Sequence, residues 1–212
     1  MGEYYFITKM GFYQHYNNII NMEKFEIKSG VVVCSDPCYE IPTWCQGIIS
    51  NVKAGTWYAD IEKKYVGSWG TRVHSITIIH EDYVTNTGER IFDYLNPIGN
   101  YGVDSGQFGF FDKEFYRNDS AAESLPKVDW VDYVKEDGDE WYKACAEITL
   151  SENQGGVMEA GVVTSSGYGD GSYPVFGNLD DGEYVSLKVI FIEEDYEEDY
   201  EEDEDYYEEE EG

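Results

Sequence analysis

From Phe25 to Ile192 the chain is written in short runs of β-branched and aromatic residues, broken by turns rich in Gly, Asn and Asp. Nowhere in that span does an amphipathic pattern of helical length separate two such runs, and an α/β sheet needs one at every crossover. Arg72–His80 reads R-V-H-S-I-T-I-I-H, and Tyr184–Ile192 reads Y-V-S-L-K-V-I-F-I, with Val185, Leu187, Val189 and Phe191 on one face. Leu179-Asp180-Asp181-Gly182 before it is a hairpin signal, because Gly182 takes positive φ without steric cost. Strand Ser172–Phe176 pairs across that turn. Further strands are expected at Phe25–Lys28, Val31–Cys34, Thr56–Ile61, Gln107–Phe111, Tyr142–Leu150 and Val157–Ser165. Helix signals are confined to Ile19–Glu26 and Asp112–Asp119, and Ser120–Asp139 reads as a surface loop. The expected class is mainly β: an antiparallel β-sandwich or partly open barrel of about eight to ten strands with one or two short helices.

Charge divides the chain. Of 212 residues, 44 are acidic and 14 basic, a net charge of −30. Residues 193–212 hold 15 acids, four tyrosines and no base. Such a block repels itself and is expected to be disordered. The resulting division is an N-terminal extension packed on the domain (1–24), a single β-rich domain (25–192) and the acidic tail (193–212). The tail solubilises the chain, engages a basic protein, or screens a basic surface of its own domain. The acidic balance argues against direct nucleic-acid binding and against an anionic membrane surface. No apolar run of membrane-spanning length, no basic-then-apolar leader and no myristoylation pattern (Phe6 stands where Ser or Thr is wanted) are present, and the expectation is a cytoplasmic chain.

Three polar loops interrupt the strands: Ser35-Asp36-Pro37-Cys38-Tyr39, Val103-Asp104-Ser105-Gly106-Gln107, and Ser165 to Pro174 with Gly167, Gly169 and Gly171 alternating. As plain turns they use Asp to accept backbone N–H bonds. As a site, they converge and bind a small polar ligand through Asp36, Cys38, Tyr39, Asp104, Ser105, Gln107, Gly169, Asp170, Ser172 and Tyr173. Asp36, Asp104 and Asp170 are then candidates for a hard divalent cation. The third loop lacks the Lys-Ser/Thr of a phosphate loop and the acidic ladder of an EF-hand. Cys34, Cys38 and Cys45 are candidates for zinc, although no second Cys knuckle is present, and buried thiols are the plainer reading. Cys38 as a nucleophile would need His15, His74 or His80 as its base, and the six-residue spacing puts His74 and His80 on one strand face. Trp44, Trp57, Tyr58, Tyr65 and Trp69 concentrate in one stretch, either as cross-strand pairs or as a partly exposed cluster.

Asp36-Pro37-Cys38-Tyr39, Trp44-Cys45, Val103 to Gln107, Phe111-Asp112 and Gly167 to Pro174, in that order, resemble a bacterial and phage family of domains of unknown function, number 4241. The resemblance implies one domain over roughly residues 30–192 and gives weight to those loops. It implies no reaction. A phage origin would put the chain in a host cytoplasm, as an accessory protein acting on a host component. The functional expectation is a non-catalytic binding protein for a small polar ligand or a protein partner. The alternatives are a metal-assisted hydrolase using the same aspartates, and a structural or assembly protein.

Overall fold

The computed structural model describes residues 22–84, 97–122 and 138–193. Eleven strands form two antiparallel sheets among these residues. The strands are β1 (Glu23–Ile27), β2 (Val31–Ser35), β3 (Gly47–Ser50), β4 (Gly55–Tyr65), β5 (Thr71–His80), β6 (Pro97–Val103), β7 (Gln107–Asp112), β8 (Gly155–Met158), β9 (Gly161–Ser165), β10 (Gly171–Asp180) and β11 (Glu183–Ile190). The first sheet runs β1-β4-β5-β11-β10-β6 and the second β3-β2-β7-β9-β8. Of the sandwich and the partly open barrel, two separate facing sheets make this the sandwich.

The two sheets face each other across one apolar layer. Phe25, Trp57, Ile78 and Leu187 from the first sheet meet Val32, Phe108, Phe110 and Val162 from the second. Along β7 all six residues are buried, so this strand has no polar face. Phe108 and Phe110 fill the interior of the sandwich, and Phe111 packs on the other side. There the helix α1 (Asp139–Thr149) covers the second sheet, and Trp141, Ala144 and Cys145 pack on Val33, Phe111 and Val163. The molecule is therefore three layers deep: sheet, sheet, helix.

The expected turn at residues 179–182 forms as a two-residue hairpin. Asp180 pairs with Glu183, leaving Asp181 (φ 49°) and Gly182 (φ 85°) as its left-handed corners. Four local readings need correction. Tyr142–Leu150 is not a strand but most of α1. Its buried positions, Trp141, Ala144, Cys145 and Thr149, follow the helical period, and Asp139 and Glu140 sit in the first turn, where the helix dipole favours acids. Aromatic and β-branched content masked that period. Asp112–Asp119 is not a helix, because Asp112 ends β7 and Arg117 adopts φ 54°. Residues 23–26 belong to β1 rather than a helical turn. Val157–Ser165 splits into β8 and β9, joined by a tight turn that pairs Met158 with Gly161.

Strands β3 and β6 carried no clear signal. β6 reads P-I-G-N-Y-G-V and is an edge strand, where Pro and Gly are tolerated. Its Tyr101 ring lies over Gly47 of β3, where a Cβ would sit 2.4 Å from the ring. The N-terminal extension through residue 21, the central part of the expected 120–139 loop (123–137) and the tail beyond Glu193 lie outside the described residues.

Candidate functional site

The first two polar loops meet, and a single carboxylate joins them. Asp36 directly follows β2, is fully buried, and accepts four hydrogen bonds. Oδ1 accepts from the Cys38 amide (2.8 Å) and the Ser105 hydroxyl (2.7 Å). Oδ2 accepts from the amides of Asp104 (2.9 Å) and Ser105 (2.6 Å). Two donors on each oxygen use its lone pairs, so a cation finds none free there. Asp112 does the same at the other end of the β2–β7 pair. Its carboxylate accepts from the amides of Lys28 (2.5 Å), Ser29 (2.8 Å) and Glu114 (2.9 Å). Each strand of this antiparallel pair thus ends in a buried aspartate that clasps the segment leading into its partner.

The third loop joins the second only by its backbone. The Ser166 amide donates to the Gly106 carbonyl at 3.0 Å. The Tyr173 hydroxyl reaches the carbonyls of Gly169 (2.6 Å) and Ser166 (3.0 Å), closing the glycine turn on itself. Gly167 (φ 62°) packs so tightly that a Cβ would lie 2.9 Å from Phe191 Cβ. Its missing side chain serves close packing of the chain on itself. Asp170 and Ser172 are exposed. The Asp104 backbone is therefore brought to the Asp36 carboxylate, and among the described residues the three aspartates do not form a group that could hold a metal ion.

Around the Asp36 clasp the pattern reading missed several participants. The Tyr116 hydroxyl is 2.7 Å from the Tyr39 carbonyl and 3.0 Å from that of Asp36, and it receives the Gln46 amide at 3.1 Å. Arg117 Nη1 donates to the carbonyls of Pro37 (3.2 Å) and Cys38 (3.3 Å). Gln107, expected in the site, donates to Ser105 Oγ (3.2 Å) and Tyr142 (3.4 Å), and accepts from Thr149 (3.0 Å). Tyr116 and Arg117 follow Gln107 by nine and ten residues and Tyr142 by 35, and no local pattern marks them. Burial pushes the hydroxyls of Tyr116 and Tyr39 well above the ordinary tyrosine range, so both stay protonated donors.

Cys38 is half-buried beside Asp36. Burial first, then the adjoining Asp36 carboxylate and the charge of Asp104, push its thiol up to about 12. A raised thiol is a poor nucleophile at neutral pH. At pH 8, Cys38 is expected to alkylate with iodoacetamide about 10–100-fold more slowly than glutathione, the lost thiolate outweighing its greater basicity. Peptide mass spectrometry of a time course reads this directly, and a Cys38 rate at or above the glutathione rate would contradict it.

Neither described histidine serves that thiol. The β4–β5 register places Glu62 opposite Ser75 and Lys63 opposite Val73, making His74 the extra residue of a bulge. The expected common face is lost as a result. His80 is buried against Trp57, with Nε2 3.2 Å from the Ala54 carbonyl. His74 turns to Glu62 on the outer face (3.8 Å). His15 lies outside the described residues. Cys34 is in the sandwich interior, and Cys45 is buried against Gly102. Among the described residues no three His, Cys, Asp or Glu side chains are grouped so as to hold a metal ion.

The outer side of the first loop contrasts with its clasped interior. Trp44 is 96 % exposed, and Ile41 and Ile48 near it are exposed too. A separate groove of about 880 Å³ lies between β1, β4, β8 and the C-terminal half of α1, lined by Glu23, Asp60, Ile61, Ile148 and Val157 among others. None of the expected site residues lines it.

The sequence model of the family described as "Protein of unknown function (DUF4241)" matches residues 25–189. No curated protein and no solved structure matches the chain. No helix among the described residues is long and apolar enough to cross a membrane.

Proposed function

We propose, from the premise that the chain belongs to the family of proteins of unknown function DUF4241, a non-catalytic binding role in which the loop 36–46 presents Trp44 to a protein partner. One observation carries this reading. A large aromatic side chain stands 96 % exposed on a loop whose backbone is held from inside by Asp36, Tyr116, Gln46 and Arg117. Exposing an indole to water forgoes roughly 2–3 kcal/mol of burial, and fixing its backbone beforehand lowers the ordering cost of binding. Rigid aromatic anchors of this kind dominate interface energetics. The neighbouring Glu40 and Asp104 are exposed acids, so the complementary surface is an apolar pocket rimmed by basic groups.

The clasp supports binding over hydrolysis. Asp36 uses both oxygens on backbone and serine donors, and Cys38 holds its proton at neutral pH. Peptide-display selection against the full-length protein tests the proposal. Peptides rich in apolar and basic residues should enrich, and their recovery should fall about tenfold or more on Trp44→Ala. Leu150→Ala, at another exposed apolar residue, should leave recovery unchanged. Equal recovery on Trp44→Ala would refute the role of the loop.

A further inference from the structure

The tip of the β4–β5 hairpin is basic and aromatic in a chain of charge −30. Between Lys63 and Arg72 the sequence K-K-Y-V-G-S-W-G-T-R contains three cations and no acid. The register sets Lys64 directly opposite Arg72, a like-charge pair that is unfavourable unless an anion lies over it. Arg72 Nε is buried without a hydrogen-bond partner. No carboxylate among the described residues lies within 4.0 Å of the Lys63, Lys64 or Arg72 nitrogens, Glu62 and Glu147, which line one groove with Lys63, included. Beside these cations stand exposed rings: Tyr65 (73 %), Trp69 (57 %) and Tyr168 (51 %). Trp69 meets Tyr168 edge-on at 5.6 Å, and the Arg72 guanidinium is 6.0 Å from the Trp69 ring.

The described chain ends at this tip. Ile190 pairs with Ser75, the Phe191 amide donates to the His74 carbonyl, and Gly167 lies against Phe191, Ile192 and the Val73 carbonyl. Glu193 therefore leaves the domain within a few residues of Arg72 and Tyr168. The remaining 19 residues hold 14 acids and four tyrosines. We propose that this tail, residues 194–212, docks in cis on the hairpin tip, its carboxylates on Lys63, Lys64 and Arg72 and its tyrosines against Trp69, Tyr65 and Tyr168. Extended, 19 residues reach about 60 Å, far more than the tip requires. Tethering raises the local tail concentration to about the millimolar range, so individually weak contacts suffice. The inference is independent of the Trp44 loop, and either can fail alone.

Zero-length carbodiimide cross-linking of the full-length protein tests it. At about 0.02 M salt, Lys63 and Lys64 should join to tail carboxylates in preference to the exposed Lys24, Lys28 and Lys113, with a yield independent of protein concentration. At about 0.5 M salt the yield should fall about fivefold or more, as screening shortens the reach of each charge. In a full-length chain whose tail acids 194–205 are changed to their amides, leaving 208–211 to react, the same links should fall as far. Links spread over all exposed lysines, or insensitive to salt, would overturn the proposal. A yield that rises with protein concentration would assign the tail to a second copy and overturn docking in cis.

Discussion

Replacing Asp36 by alanine is expected to lower the stability of the domain by about 3–5 kcal/mol, the range for stripping one partner from a buried charged network. The expectation rests on four donors losing their acceptor at once: the amides of Cys38, Asp104 and Ser105, and the Ser105 hydroxyl. They lie on two loops 68 and 69 residues apart in sequence, so the loss unties β2 from the entry to β7. At this chain length each kcal/mol moves the midpoint by about 2–4 °C, and the melting temperature should drop by roughly 10 °C. Asp36→Asn should restore only part of the loss, since its amide offers one acceptor oxygen where the carboxylate offers two. Asp104→Ala and Asp170→Ala should each stay within about 0.5 kcal/mol, because both side chains are exposed. Chemical denaturation of the four variants decides the matter. Equal losses at all three aspartates would show that Asp36 is not the clasp its geometry implies.

Trp141→Ala should cost a similar amount, about 3–5 kcal/mol, by a different mechanism. The indole is almost fully buried between Phe111 (4.9 Å between ring centres) and Tyr116 (5.0 Å). It is the largest side chain in the layer between the second sheet and α1. Removing it leaves a cavity lined by rings that cannot collapse, and it loosens an 11-residue helix too short to persist in water alone. Tyr116 also supports the Asp36 loop, so the damage should reach the loop. The expected signature in urea is a lower midpoint, with near-UV circular dichroism lost before the far-UV signal of the sheets. Trp141→Phe keeps a ring and should retain more than half of the stability lost in the alanine variant. A loss below about 1 kcal/mol for Trp141→Ala would mean that α1 is not held by this contact.

The motifs that carry the family resemblance prove to be fasteners. Asp36, Asp112, Ser105 and Tyr173 each direct their polar atoms at backbone or neighbouring side chains of their own chain. A polar residue beside Gly or Pro in a loop reads alike for a ligand site and for a turn that must satisfy its own amides. Trp44 carries the opposite ambiguity. An aromatic near a strand reads as core, and only its position on the outside of a clasped loop makes it an anchor.

The local sequence was enough to determine the class and much of the strand set. Alternating β-branched residues mark β5 and β11, and Asp181-Gly182 marks their hairpin neighbour, because side-chain period and φ preference are properties of a few adjacent residues. Net charge likewise separates the body from residues 193–212 before any fold is known. What tertiary structure alone decided is which polar groups face inward and which residues meet. Trp141, Ala144 and Cys145 became a helical face because the second sheet offers an apolar outer surface to cover. Asp36 became a buried clasp and Asp170 an exposed turn residue because donors some 70 residues away surround only the first. A carboxylate's role depends on whether burial removes its water and what replaces it, and neither quantity is written in its neighbours along the chain.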